Sequence, residues 1–239
     1  DPSVFVRTNV LGVQSLLEAC RKHGVARFHQ VSTDEVYGEI PRGVEGMAFS
    51  ERSKLNPSSP YAASKASADL LALAWHKTYG MHVTVSRSSN NYGPYQFPEK
   101  LIPLAIVRAV KGQPIPVYGD GANVRDWLYV SDHCAAVDLI VRRGRAGEVY
   151  NVCGGEERTN LETVGAVAAL VGRGEIEFVA DRPGHDFRYA ADAAKLREEL
   201  GFSPAVAFGE GMRRTVGWYL SHRDWWENIL SGKYRKFRR

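Results

Sequence analysis

Tyr61 and Lys65 have the spacing of a catalytic pair, because residues four positions apart lie on the same face of an α-helix. A lysine ammonium beside a phenol stabilises the phenolate and lowers the pKa of the tyrosine. Such a tyrosine could remove a proton from a hydroxyl group near neutral pH. The same spacing also arises by chance, and the alternative is a partly exposed tyrosine near a surface lysine.

Two adjacent carboxylates, Asp34 and Glu35, follow Thr33 directly after a short apolar segment. Such a pair can act as a proton donor and a proton acceptor if the surroundings separate the two pKa values. A solvated turn is the alternative interpretation. A buried strand, the carboxylate pair and then the Tyr61–Lys65 pair occur in the order that one active site would need.

Polar and basic residues further along the chain could bind a ligand. Asn90 and Asn91 offer donors and acceptors suited to a nicotinamide amide or a diphosphate, although asparagine is also a usual turn residue. The basic residues that could neutralise a diphosphate are Lys100, Arg125, Arg182 and Arg188. Each of them taken alone is more often a surface charge.

Hydrophobic periodicity predicts the elements that would position these residues. In chain order they are a helix over 9–23, a strand over 27–32, a loop over 39–57, a helix over 59–79 and a strand over 82–87. Asn9 is the expected N-cap of the first helix. Helix followed by strand, twice over, predicts parallel strands with crossover helices in an α/β doubly wound sheet. Ligands bind outside the C-terminal ends of such strands, here at 32–35 and 87–91.

The second half of the chain differs from the first in its residue pattern and begins with three closely spaced prolines, Pro94, Pro98 and Pro103. Predicted helices cover 101–110, 132–143, 160–171, 192–200 and 209–231, and predicted strands cover 114–118, 127–130 and 148–152. The strand at 148–152 could return to the main sheet.

Composition narrows the class of protein. The chain has 239 residues, 44% hydrophobic and 24% charged, as in ordinary globular proteins. No apolar run is long enough to span a membrane, and no signal peptide is recognised. The net charge of +4 includes a basic tail at 233–239, interpreted as a solvated terminus rather than a site for nucleic acid or lipid. Three widely spaced cysteines predict no metal site and a reducing cytoplasm.

Six stretches together resemble the extended short-chain dehydrogenase/reductase family over essentially the whole chain. They are Thr33–Gly38 (TDEVYG), Asn90–Pro103 (NNYGPYQFPEKLIP), Tyr118–Gly121, Arg125–Trp127, Asp181–Asp186 (DRPGHD) and Arg188–Tyr189. The first resembles the signature of dTDP-glucose 4,6-dehydratases. UDP-galactose 4-epimerases carry small residues in place of the acidic pair, and GDP-mannose dehydratases and UDP-glucuronate decarboxylases typically carry Ser-Glu.

The resemblance implies a Rossmann-like NAD-binding domain over 1–95 and 132–153, and a smaller mixed α/β nucleotide-sugar domain over 96–131 and 154–239. It also implies a reaction, the dehydration of dTDP-glucose to its 4-keto-6-deoxy product by internal hydride transfer through NAD. The alternatives are an NAD-dependent epimerase or decarboxylase acting on a UDP-sugar, and an inactive binding or dimerising fragment.

The same resemblance implies a role for each site residue. Tyr61, assisted by Lys65, takes the proton of the 4-hydroxyl, Thr33 binds that oxygen, Glu35 takes the C5 proton and Asp34 protonates the departing 6-hydroxyl. The residues implied to contact NAD are Thr8, Tyr61, Lys65 and Asn91. Those implied to contact the nucleotide sugar are Thr33, Asn90, Lys100, Leu101, Pro116, Val117, Tyr118, Arg125, Asn160, Arg182 and His185, with Arg125 and Arg182 on the diphosphate.

One departure from the family is large, because no glycine-rich turn of the G-x-G-x-x-G kind is present. We therefore expect the N-terminal βαβ units of the family to be missing, and NAD to be held poorly. The apolar helices at 9–23 and 59–79 predict a homodimer in which two helices from each subunit form a four-helix bundle.

Overall fold

A computed structural model describes residues 1–181 and 184–232, so Arg182 and the basic tail lie outside the described residues. The helices are α1 (Ser3–Phe5), α2 (Gly12–Lys22), α3 (Pro60–Tyr79), α4 (Leu101–Lys111), α5 (Val130–Arg143), α6 (Asn160–Val171), α7 (Ala194–Leu200), α8 (Phe208–Ser221) and α9 (Arg223–Leu230). A π-helical segment (Val6–Leu11) joins α1 to α2, and a 3₁₀ turn covers Asp34–Tyr37. The strands are β1 (Phe28–Thr33), β2 (Val83–Ser88), β3 (Asn90–Tyr92), β4 (Ile115–Tyr118), β5 (Val124–Tyr129), β6 (Glu148–Val152), β7 (Glu157–Thr159) and β8 (Ile176–Val179).

A parallel sheet in the order β1-β2-β6 carries the first half of the chain. The crossover helix α3 connects β1 to β2 and packs on both strands. Ser59 caps α3 by accepting a hydrogen bond from the backbone N–H of Ala62 at 3.1 Å, and Gly80 ends the helix with a left-handed backbone at φ 69°. These elements confirm the predicted α/β class with parallel strands.

The predicted start of the first helix at Asn9 is wrong. Helical backbone begins at Ser3, whose N–H donates to the carboxylate of Asp1 at 2.9 Å, so a different residue caps the segment. Asn9 lies inside the π-helical segment, and its side chain donates to Ser64 Oγ at 2.9 Å. A tertiary contact with α3 therefore occupies the side chain that sequence reasoning assigned to a cap.

The second half of the chain forms two small sheets, β3-β5-β7 and β4-β8, against helices α4, α6 and α8. Their shared core is rich in aromatic residues, including Tyr92, Trp127, Tyr219 and Trp226. The predicted helix at 209–231 is two helices, α8 and α9, because the backbone at His222 leaves the helical region. The division into two domains remains a prediction.

Three strands were not predicted, and each is short. β3 and β7 have three residues and β8 has four, too few for a periodic pattern to identify. β5 begins at Val124, three residues before its predicted start, since Arg125 and Asp126 are polar and yet buried in the strand. No helix within the described ranges 1–181 and 184–232 is long and apolar enough to cross a membrane.

Candidate active site

The carboxylate pair occupies a rigid turn at the C-terminal end of β1. Thr33 caps this 3₁₀ turn, its hydroxyl accepting a hydrogen bond from the N–H of Glu35 at 3.3 Å. Gly38 ends the turn at φ 86°, and a Cβ there would lie 2.3 Å from the backbone oxygen of Asn56. Only glycine fits this close approach, so Gly38 allows the backbone after the turn to pack against Asn56.

Asp34 is buried, and burial is the first cause that raises the pKa of its carboxyl from 3.8 to about 8. The nearby charges of Glu35 and Asp126 raise this pKa further, whereas Arg125 lowers it. Asp34 therefore carries a proton at neutral pH while a second carboxyl group lies next to it. Two neighbouring carboxyl groups held in different environments can divide the roles of acid and base.

Tyr61 lies half-buried on α3, close enough to the carboxylate pair for their charges to change its pKa. Burial raises the pKa of Tyr61, and Glu35 and Asp34 raise it further. This corrects the expectation that Lys65 holds the pKa of Tyr61 down. The Nζ atom of Lys65 donates to the backbone oxygen of Val31 at 2.5 Å, and burial lowers the pKa of its ammonium.

The segment before α2 lies beside Tyr61. The ring of Phe5 packs edge-on against the ring of Tyr61, with centroids 5.6 Å apart. Thr8 is exposed within the π-helical segment, a kind of helical distortion that often occurs at functional sites. The hydrogen bond from Asn9 to Ser64 fixes this segment against α3.

Asn90 and Asn91 lie in strand β3 rather than in the turn that was the alternative interpretation. They pair with Trp127 and Leu128 of β5. The side-chain oxygens of both asparagines, and Oδ2 of Asp34, are buried with no hydrogen-bond partner among the described residues. Buried polar atoms normally have hydrogen-bond partners. The two asparagine oxygens therefore indicate where ligand N–H or O–H groups would bind, and Oδ2 of Asp34, which can carry the proton of this carboxyl, indicates where a ligand acceptor would bind.

The predicted nucleotide-sugar residues lie on several elements. Tyr118 is exposed at the end of β4, and the ring of His185 packs edge-on to it with centroids 6.3 Å apart. His185 Nδ1 is 2.7 Å from a carboxylate oxygen of Asp181. The side chain of Val117 belongs to the core, so only its main chain could contact a ligand.

The remaining predicted contacts lie at helix starts or in a strand. Lys100 is exposed next to the first residue of α4, Leu101, and forms a 3.7 Å ion pair with Glu99. Asn160 is the buried first residue of α6, and its N–H donates to the oxygen of Asn123 at 2.9 Å. Pro116 is half-buried in β4.

Arg125 is a buried arginine and not a surface charge. Its guanidinium donates to the backbone oxygens of Val124, Phe187 and Asp186 at 2.7, 3.1 and 2.8 Å, and it stacks on the ring of Tyr189. Its role at a diphosphate remains a prediction. The two donors of Arg188 bind Glu157 at 2.6 and 2.7 Å, so its charge is already balanced within the protein.

Sequence reasoning missed a buried polar network beneath the site, formed by Arg87, Asp69, Tyr37 and Asn151. Tyr37 lies within the TDEVYG stretch, and Arg87 and Asn151 lie in strands. An arginine two positions after the Val-Thr-Val segment of β2 is an available signal, because a charge in a buried strand requires a partner.

Comparison with known proteins identifies the family. The family model described as GDP-mannose 4,6 dehydratase matches residues 1–215. A dTDP-glucose 4,6-dehydratase from Streptomyces niveus is 56% identical over 229 residues, covering 95% of this chain and 67% of that protein. The chain belongs to the dTDP-glucose 4,6-dehydratase family.

Solved structures of family members have the same fold. A dTDP-glucose 4,6-dehydratase from Bacillus anthracis in complex with NAD is 48% identical, with a TM-score of 0.90 over 96% of this chain and 73% of that one. The enzyme from Streptomyces venezuelae, solved with NAD bound, is 50% identical, with a TM-score of 0.92 over 96% and 70%. A UDP-glucose 4-epimerase from Thermotoga maritima is 30% identical, with a TM-score of 0.87 over 92% and 72%. All three structures share the fold, and the epimerase is more distant in sequence.

Substituting Asp34→Asn should make stability less dependent on pH. Because the folded pKa of Asp34 is about 8 and its ordinary value is 3.8, the folded state binds the extra proton between these values. The free energy of unfolding of the unmodified protein therefore falls as pH rises through this window, by up to about 1.4 kcal/mol per pH unit from this group. Asparagine cannot titrate, so the variant should gain stability relative to the unmodified protein between pH 5 and pH 8, measured by urea unfolding.

Asp120→Asn is the matched control. Arg42 lowers the pKa of the exposed Asp120, so this group stays ionised across the same window. Its stability difference from the unmodified protein should be constant between pH 5 and pH 8. A constant difference for Asp34→Asn as well would show that Asp34 is ionised in the folded protein.

Proposed function

We propose that this protein dehydrates dTDP-glucose to dTDP-4-keto-6-deoxyglucose with NAD as its cofactor, as a hydro-lyase. The single observation that carries the proposal is the protonated, buried Asp34 next to Glu35, within electrostatic reach of Tyr61. Elimination of water needs one group that donates a proton and one that accepts it. The relatives named dTDP-glucose 4,6-dehydratase, at up to 56% identity, support the choice of substrate.

The residues present fit a bound nicotinamide. Asn91 has a buried side-chain oxygen without a partner, which suits the donor N–H groups of a carboxamide. Thr8, Tyr61 and Lys65 complete the proposed cofactor contacts. NAD, when bound, supplies the acceptor and later the donor of the hydride. Solved family members with NAD support this assignment.

The side chains divide the proton transfers between them. Tyr61 accepts the proton of the 4-hydroxyl as its phenolate, which the positive charge of a bound nicotinamide would stabilise against the raised pKa of Tyr61. Thr33 donates a hydrogen bond to the oxygen that becomes a ketone. That ketone acidifies the proton on C5, which Glu35 accepts. Asp34 gives its proton to the 6-hydroxyl, which leaves as water, and C5 takes a proton back when the hydride would return to C6. Since burial keeps Asp34 protonated near neutral pH, the acid is ready before substrate arrives.

For the nucleotide sugar, we propose that Tyr118 and His185 flank the base and that Arg125 and Arg182 bind the diphosphate. The exposure of Tyr118 and the edge-on packing of His185 support the first assignment. The further proposed contacts are Asn90, Lys100, Leu101, Pro116, Val117 and Asn160. Val117 would contribute through its main chain, because its side chain is buried.

Incubation of the protein with dTDP-glucose and a large excess of NAD, which offsets the weak NAD binding expected without a glycine-rich turn, should yield a product with a methyl group at C6 and a ketone at C4, measured by proton NMR. Tyr61→Phe should abolish product, because no base remains for the 4-hydroxyl. Inversion at C4 without loss of water would instead identify a sugar-nucleotide epimerase. Binding of both ligands without any turnover would favour the binding-module alternative.

Glu35→Gln should leave the first oxidation possible and stop elimination, because Glu35 acts on the C5 proton alone. The exchange of C5 hydrogen for solvent deuterium should fall by at least about 100-fold, the usual scale for loss of a general base. Absorbance of reduced nicotinamide should still appear. Glu45→Gln, which changes an exposed glutamate in the following loop, should leave both signals unchanged. Undiminished exchange in Glu35→Gln would remove Glu35 from this role.

We also propose a homodimer in which α2 and α3 of each subunit form a four-helix bundle about a twofold axis. The two helices pack against each other. Leu17 and Ala72 are buried between this layer and the sheet, whereas Leu16 and Leu70 are each 58% exposed. Because α3 also carries Tyr61 and Lys65, the contact would stiffen the catalytic helix.

Combined Leu16→Glu and Leu70→Glu should convert the dimer to a monomer, since the bundle would bury four like charges. Light scattering at micromolar concentration measures the mass. Phe178→Glu, at a residue 57% exposed on β8, is the matched control and should leave the dimer intact. A monomer mass for the unmodified protein would contradict the proposal.

A cytoplasmic location also remains a proposal. The three cysteines, Cys20, Cys134 and Cys153, are all free thiols. Unpaired cysteines are typical of a reducing compartment, and this supports the location expected from their spacing.

A further inference from the structure

Arg87 lies beneath the candidate active site with its charge almost fully removed from solvent. It occupies β2, aligned with Ser32 of β1 on one side and Asn151 of β6 on the other. Its Nε atom donates to Oδ2 of Asp69 at 2.9 Å, and the two side chains are 4% and 0% exposed. A buried pair of this kind requires good geometry, because removal of either partner leaves an uncompensated charge.

The second contact of Arg87 reaches the turn that carries the carboxylates. Its Nη1 atom donates to the hydroxyl oxygen of Tyr37 at 3.0 Å, and the guanidinium lies 4.9 Å from the centroid of that ring. The Tyr37 hydroxyl in turn donates to Oδ1 of Asn151 at 2.7 Å. Tyr37 is the last residue of the 3₁₀ turn, two positions after Glu35.

The hydrogen bond from Arg87 to Asp69 connects the sheet to α3, the helix that carries Tyr61 and Lys65. Asp69 lies on α3 one turn beyond Lys65 and two turns beyond Tyr61, so all three share a face. The charge of Asp69 acts on Lys65. The guanidinium of Arg87 thus contacts both α3, which carries Tyr61, and the turn that carries Asp34.

We propose that Arg87 is a positioning residue that sets the place of the Asp34–Glu35 turn relative to the Tyr61–Lys65 helix, acting through Tyr37 and Asp69. This inference rests on the proposed function for its catalytic consequence. The planar guanidinium suits the task because it donates in two fixed directions, which an ammonium cannot do. Neither Arg87 nor Tyr37 is required to touch substrate.

The connection has a consequence for Asp34. The acid stays protonated because the turn holds it away from water, facing Glu35, Asp126 and Arg125. If Tyr37 loses its hydrogen bonds to Arg87 and Asn151, the turn is held less firmly and water gains access to Asp34. The pKa of Asp34 should then fall toward its ordinary value.

Tyr37→Phe tests the proposal, with Tyr150→Phe as its matched control. Both tyrosines are buried, and each substitution deletes one hydroxyl. The Tyr150 hydroxyl accepts from the N–H of Arg145 and donates to Glu199, away from the carboxylate turn. The titration of Asp34 is followed by carbon-13 NMR of aspartate-labelled protein, with its resonance assigned by its loss in Asp34→Asn.

We expect Tyr37→Phe to lower the titration midpoint of Asp34 by about one pH unit or more, the scale of a typical environmental shift, and Tyr150→Phe to leave it in place. Arg87→Lys, which keeps the charge, should shift it in the same direction. In turnover, Tyr37→Phe should slow elimination about tenfold, because the turn loses both hydrogen bonds of the Tyr37 hydroxyl, while the C4 oxidation persists.

The titration needs no turnover, so its result separates this inference from the proposed function. An unchanged midpoint in Tyr37→Phe, with only a loss of thermal stability equal to that of Tyr150→Phe, would overturn the positioning role. A shifted midpoint in a protein that forms no 4-keto-6-deoxy product would sustain the positioning role and reject the dehydratase assignment.

Discussion

The buried ion pair between Arg87 and Asp69 is the interaction on which the rest of the site depends. A charge in the middle of a packed sheet is tolerated only with a partner and with its remaining donors satisfied. Asp69 on α3 supplies the partner, and the hydroxyl of Tyr37, in the carboxylate turn, accepts a further hydrogen bond from Arg87. The helix and the turn therefore cannot move independently without breaking a buried polar contact.

Burial is the main influence on the pKa values of the carboxyl groups at this site. Asp34 and Asp126 are both buried carboxyl groups, and burial raises the pKa of each. Asp126 accepts hydrogen bonds from the backbone N–H groups of Gly154 and Glu156, both at 2.7 Å, which oppose that rise. Among the described residues, Asp34 accepts a side-chain hydrogen bond from Thr33 at 3.4 Å, which also opposes the rise of its pKa. Burial thus raises the pKa of both carboxyl groups, and the hydrogen bonds of Asp126 oppose the effect of burial.

Helix α8, near the C-terminal end of the described chain, also stabilises the site. Tyr95 has a left-handed backbone at φ 63°, unusual for a residue with a side chain, and its ring packs on Trp218 with centroids 4.5 Å apart. The next residue, Gln96, donates to the backbone oxygen of Asn91 at 2.9 Å and accepts from the hydroxyl of Tyr219. Helix α8 thereby holds the strand that carries Asn90 and Asn91.

The sequence by itself determined the fold class, the long helices and strands, and the residues that stand together in its motifs. These features depend on neighbours in the chain: the apolar run at 70–75 in α3, the cap at Ser59, and the motif from Thr33 to Gly38. Only the tertiary structure decided how each group behaves. Burial, followed by the charges of Glu35 and Asp34 on another element, raises the pKa of Tyr61, and Asn9 binds Ser64 rather than a helix end. The unpredicted strands β3, β7 and β8 and the buried state of Arg125 likewise depend on partners distant in sequence, which no local pattern records.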